Sequence, residues 1–273
     1  MSKFPLSPDR KARGIWWDVN YEVLNGCSPI SPACKNCFAQ VYVNRFKDVN
    51  PHFEGLIKNG EWTGRVNLRR DKLDVPLNTK EPTVFFVTER GDLFHKDVPF
   101  AFIREVFARM PTRHTFIILT KRPKRLKQYI DSYTLLNVTE PPPNVYFGVT
   151  AENQEQADKR IPILLEIPAA VRFVSVEPMI GTIDLSPYIG YNPVYETKKD
   201  SEGREQGISW CIVGSESGPG ARETKTEWVR YLRDQCKAAN VPFFLKQLKI
   251  NGKLVKMPVL DGVTHDAVPR VGG

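Results

Sequence analysis

Short, nearly unbroken apolar runs constrain this chain more than any other feature. They fall at 83–87, 116–119, 145–149, 171–176, 210–213 and 242–245. None alternates apolar with polar residues, so each is expected to be a strand buried on both faces, as in a parallel sheet. Between them, apolar residues return at helical spacing. Phe100, Ile103, Phe107 and Met110 share a face over 99–110, and Leu126 and Ile130 share one over 123–133. Residues 153–165 read as a helix interrupted or restarted by Pro162. Trp228, Val229, Leu232 and Cys236 mark the inward face of a helix over 224–239, opened by a capping box from Thr224 to Glu227. An aromatic, β-rich stretch at 14–19 adds a first strand, which would send Trp16 and Trp17 to opposite faces. Strands alternating with helices give an α/β class. Seven such units point to a full or partial (β/α) barrel with parallel strands; strand order is not readable, so an open doubly wound sheet stays an alternative.

The repeating domain spans 14–250. Residues 1–13 read as a loose basic arm and 251–273 as a loose tail. Glycines and prolines break up 48–80, where a short strand is expected at 66–68, and 188–208 is a polar, turn-rich surface excursion.

Between the first strand and a helix expected to start at or near Cys37, where Phe38, Val41, Tyr42 and Arg45 recur at helical spacing, lies a loop with three of the five cysteines, Cys27, Cys34 and Cys37, spaced C-x6-C-x2-C. The x2 pair lets two sulfurs face one metal centre, and the loop reads as the holder of an iron–sulfur cluster. A four-iron cluster held by three thiolates keeps one iron open for a small-molecule ligand. Zinc is the alternative: three thiolates with one of His52, His95, His114 or His265 would close a structural site. Cys211 and Cys236 fall on a strand and an inward helix face and read as core.

In a barrel, chemistry gathers at the carboxyl ends of the strands. Here those ends deliver Glu89, Lys121, Glu152, Glu177, Ser215, Glu216 and Lys246, with Arg222 a little beyond. Carboxylates opposed by cations suit a zwitterionic ligand, with the ammonium on one set and a carboxylate or phosphate on the other. Any one of these residues is also what a strand end meeting water looks like. The basic run at 121–127 is well placed for phosphates or is a solvated helix face.

The net charge of +8 tilts partners toward nucleic acid or nucleotides. Clustered, odd-numbered cysteines suit a reducing, cytoplasmic compartment rather than a disulfide framework. No run approaches the ~20 apolar residues of a membrane span, and the first residues carry no signal-peptide pattern.

The motifs Gly26-Cys27 through Cys34-Lys35-Asn36-Cys37, Gly91-Asp92-Leu93-Phe94-His95, Val174-Ser175-Val176-Glu177-Pro178, the run 214–222 and Phe243-Phe244-Leu245-Lys246-Gln247 resemble the uncharacterised phage-associated three-Cys-motif family. Strand, three-cysteine loop and following βα units also resemble the radical S-adenosylmethionine superfamily. That resemblance implies a [4Fe-4S] cluster on Cys27, Cys34 and Cys37. Its open iron would bind the amino and carboxylate groups of S-adenosylmethionine, whose reductive cleavage gives a 5′-deoxyadenosyl radical. It implies cofactor contacts among the rim residues, with Glu89 receiving the ammonium. The chain departs from the superfamily pattern in three places. The first cysteine gap is six rather than three. Asn36 stands where an aromatic often precedes the third cysteine. Thr88-Glu89-Arg90-Gly91 replaces the usual Gly-Gly-Glu. Two functions follow: a radical enzyme acting on a nucleic acid or nucleotide, or a non-catalytic, metal-stapled module that binds nucleic acid or a protein partner.

Overall fold

The structure is a computed structural model and describes residues 4, 6–134, 142–189, 207–218 and 220–269. Its centre is an eight-stranded sheet. Seven strands run parallel: β1 (Val19–Tyr21), β2 (Val84–Val87), β3 (Thr115–Thr120), β4 (Val145–Thr150), β5 (Val171–Val176), β6 (Trp210–Gly214) and β7 (Phe243–Ile250). They lie side by side in chain order, and β8 (Lys253–Lys256) adds an antiparallel edge. Sequential order is the winding of a βα barrel rather than of a doubly wound sheet, whose order reverses at a switch point. β1 and β8 do not pair with one another, so the barrel is partial.

The curl is measured by one indole. The Trp16 ring lies 5.2 Å from Phe86 on β2, 5.7 Å from Phe173 on β5 and 5.6 Å from Trp210 on β6. In a flat sheet, β2 and β6 would be about 19 Å apart at ~4.8 Å per strand. The strands therefore bend around Trp16. The concave face carries Trp16, Trp17, Phe86, Tyr146, Phe173, Trp210 and Phe244 in one cluster. The convex face packs Phe85, Phe116, Phe147, Val174 and Val213 against the helices. Burial on both faces explains why the strands read as apolar runs.

Besides a single turn at Val75–Asn78, the α-helices among the described residues are α1 (Pro8–Ala12), α2 (Phe38–Phe46), α3 (Phe100–Phe107), α4 (Pro123–Thr134), α5 (Gln154–Leu165) and α6 (Thr226–Ala238). Pro162 lies inside α5, and Val229, Leu232 and Cys236 form the buried face of α6. Cys236 meets buried Cys211 on β6, so these two thiols are core.

Several expectations change. Trp16 and Trp17 share one face, because the strand begins only at Val19. The capping box does not form: α6 begins at Thr226, and the Thr224 hydroxyl donates to Met179 O at 2.7 Å. The basic arm is anchored rather than loose. Phe4 stacks on Tyr146, α1 follows, and Ser7 N–H donates to Asp18 Oδ1 at 2.9 Å. The tail is also structured through residue 269: it adds β8, buries Leu260 and accepts the Trp210 indole N–H at Ala267 O. A curled, unclosed sheet leaves apolar side chains uncovered at its gap, and both termini cover them. The excursion at 48–80 holds short ladders, with Asn67–Leu68 pairing Leu24–Asn25 and Ile57–Lys58 pairing Glu61–Trp62. The insertion expected at 188–208 lies almost wholly outside the described residues.

Candidate active-site cavity

The cysteine loop crosses the carboxyl-end rim of the barrel, held there by the strand ends. Gly26 begins it with φ +101 and pairs with Gly91 after β2, its N–H donating to Arg90 O at 2.9 Å. A side chain is excluded at Gly26, where a Cβ would stand 2.3 Å from Arg65 O, and crowded at Gly91, where one would stand 2.2 Å from Leu24 Cδ1. After β3, Arg122 donates to Ser28 O at 2.9 Å and reaches Cys27 Sγ at 3.7 Å, while Asp92 holds its guanidinium at 2.7 Å. After β4, Glu152 accepts Ala33 N–H at 3.0 Å and pairs with Arg160 at 2.9 Å. After β6, Glu216 accepts Asn36 Nδ2–H at 2.9 Å and pairs with Arg222, which donates to Pro32 O at 3.0 Å. The x2 spacing then delivers Cys37 as the N-cap of α2.

Below the loop is a cavity of about 530 Å³, within the range of small-molecule sites. Cys27, Cys34 and Cys37 all line it. Of the rim residues singled out in the sequence, Glu89, Lys121, Glu177, Ser215, Glu216 and Lys246 line it too. Glu152 and Arg222 do not; they grip the loop from behind. Glu152 is fully buried. Burial raises its pKa, but the Ser31 hydroxyl, Arg160 and the Ala33 N–H outweigh this and hold the carboxyl below its ordinary value. Glu216 is likewise held low, against its own burial, by Arg222 and Asn36. Burial, with Asp92 nearby, pushes the Cys27 thiol up to about 11, against the pull of Arg122 and Lys121.

Thr88 takes φ +62, a left-handed conformation that is strained for a β-branched residue. It turns the chain after β2, and Glu89 follows on the cavity wall, accepting Asn20 Nδ2–H at 2.5 Å. Lys121 forms no ion pair among the described residues. Lys246 Nζ meets Glu177 Oε2 at 2.7 Å and lies 5.7 Å from the centre of the Trp17 ring. Ser215 is mostly committed to β7, its hydroxyl accepting Lys249 N–H at 3.1 Å.

In the basic run at 121–127 the two arginines are spent inside the molecule and the lysines are not. Arg122 holds the loop, Arg125 donates to His95 O and Val98 O, and Lys127 pairs with Asp131. The cavity wall also includes residues that the sequence did not single out as site residues: Arg10, Trp17, Asn20, Asp92 and Lys256. Of these, only Asp92 stood in a quoted motif.

The donor set bears on what it holds. Among the described residues, no three Cys, His, Asp or Glu side chains converge on an ion-sized point. His95 comes nearest the loop, its Nε2 2.8 Å from Ser28 Oγ. His114 is buried against Pro76 O, and His265 lies beside Phe243. Three thiols from one loop on one cavity are a donor set for an iron–sulfur cluster or a zinc ion.

The chain belongs to the family described as protein of unknown function DUF5131, which matches residues 12–269. No curated protein matches the sequence. Among solved structures it is similar to a spore photoproduct lyase mutant, at 10% identity and TM-score 0.42, covering 82% of this chain and 74% of that one. Among the described residues, no helix is long and apolar enough to cross a membrane.

Proposed function

We propose that the protein is an iron–sulfur enzyme of the radical S-adenosylmethionine type, with a nucleic acid or nucleotide as substrate. The observation that carries this is the meeting of three thiols from one loop on the wall of a single cavity at the carboxyl-end rim of a partial βα barrel. Cys27, Cys34 and Cys37 would hold the cluster. When bound, a cluster with one iron free of protein ligands supplies an electron to the sulfonium of S-adenosylmethionine.

The chain's own residues do the positioning. Glu89 and Lys121 flank the Cys27 arm, since Gly26 pairs with Gly91 and Arg122 reaches the Cys27 sulfur. They are suited to the ammonium and the carboxylate of the cofactor. The aromatic floor below the cavity excludes water from that region. The net charge of +8 supports an anionic substrate. Anaerobic reconstitution followed by reduction with S-adenosylmethionine is expected to yield 5′-deoxyadenosine. A fully loaded cluster that gives none would overturn the radical reading.

A further inference from the structure

One side of the cavity is not explained by the cysteine loop. Where the sheet fails to close, between β1 and β7–β8, the wall consists of Arg10, Trp17, Glu177, Lys246 and Lys256. Three of these are cations and one is a carboxylate. Glu177 is engaged by Lys246. Arg10 donates its Nε–H to Trp17 O at 3.0 Å, and the Lys256 ammonium donates to Gln247 Oε1. Neither Arg10 nor Lys256 forms an ion pair among the described residues. Burial and the neighbouring Lys246 pull the Lys256 pKa below its ordinary value, as expected where ammonium groups share a region short of negative charge. A wall with spare positive charge asks for an anion with several acceptor oxygens.

We propose that this side is a subsite for a phosphate monoester on the substrate, bound by Arg10, Lys246 and Lys256. Three cations less one carboxylate leave a charge of two, which a phosphate monoester near pH 7 balances at about −1.5 to −2. A carboxylate, or one internal diester of a polynucleotide, brings a single negative charge. Arg10 comes from the arm, and Lys256 from the tail's first strand. The two terminal segments therefore supply specificity as well as covering the sheet's gap.

The proposal rests on reading the cavity as the substrate chamber, yet it can be tested without the cluster chemistry. The full-length chain, without S-adenosylmethionine or reductant, is titrated with a 2′-deoxynucleoside 5′-monophosphate, the matching nucleoside and inorganic phosphate, following tryptophan fluorescence and heat. The monophosphate is expected to bind at least tenfold more tightly than the nucleoside, with inorganic phosphate competing. Lys246→Met with Lys256→Gln is expected to weaken the monophosphate at least tenfold and leave the nucleoside unchanged. Arg10→Gln is expected to weaken the monophosphate severalfold with the thermal midpoint retained. Equal binding of nucleoside and monophosphate, or variants that bind the monophosphate as the parent does, would overturn the subsite. Binding without 5′-deoxyadenosine formation would instead overturn the radical reading and leave the subsite standing.

Discussion

Two carboxylates end neighbouring strands, and they do different work. Glu152 follows β4, is fully buried, and spends its oxygens on Arg160 and the cysteine loop. Glu177 follows β5, lines the cavity, and meets Lys246 there. The whole rim divides the same way. Arg122, Glu152, Glu216 and Arg222 hold the loop, Arg122 and Glu216 from the cavity wall itself, whereas Glu89, Lys121, Glu177 and Lys246 face the cavity without bonding to the loop. One set fixes where the thiols stand, and the other is free to meet a ligand.

Substitution should break that symmetry most sharply. Glu152→Ala leaves Arg160 buried without its partner and is expected to cost about 3–5 kcal/mol, read from the urea midpoint. Glu177→Ala lies at a partly open pair and is expected to cost under about 1 kcal/mol, while altering ligand binding. Equal losses of stability would erase the distinction.

Glu22 sharpens the same contrast from behind Glu89. It accepts Glu89 N–H at 2.6 Å, and burial pushes its carboxyl up to about 7, against the pull of Arg90. Between about pH 4.5 and 7 the folded chain keeps a proton that the unfolded chain releases. This contribution to stability is therefore full below about 4.5 and lost as pH rises through 7. The change is about 3 kcal/mol at 1.36 kcal/mol per unit. Denaturant midpoints of Glu22→Gln should fall less over that range than those of the parent. Parallel pH profiles would contradict the assignment.

A smaller effect tests the crossing that starts the loop. Gly91→Ala forces a methyl group to within 2.2 Å of Leu24 Cδ1, and overpacking of this kind costs about 1–3 kcal/mol. Leu24→Ala should restore part of the loss in the double variant. A Gly91→Ala chain as stable as the parent would show that the crossing yields.

The parts legible in the sequence were those set by local pattern. Six strands read correctly because burial on both faces leaves apolar runs, the first was expected at 14–19 and forms at Val19–Tyr21, and the helix after Cys37 read correctly from its spacing. Its buried face did not: Ala39, Gln40 and Val43 are buried, while Phe38, Val41 and Tyr42 are exposed. Size and hydrophobicity pointed outward because the hairpin at 57–62 covers only the small-residue side. The division of the rim was illegible for another reason. Glu152 and Glu177 look alike in sequence, and the partner that separates them, Ala33, lies 119 residues from Glu152. Lys256 and Arg10 escaped because the segments carrying them read as loose ends. Their roles come from the gap in the sheet, which no local pattern encodes.

The central claim is that the three loop thiols hold a cluster rather than a single ion, and metal content after anaerobic reconstitution tests it most directly. The expected result is about four iron and four sulfide per chain, with thiolate-to-iron absorption that Cys27→Ala, Cys34→Ala and Cys37→Ala together abolish. One zinc per chain without sulfide, or iron content unchanged in the triple variant, would contradict it.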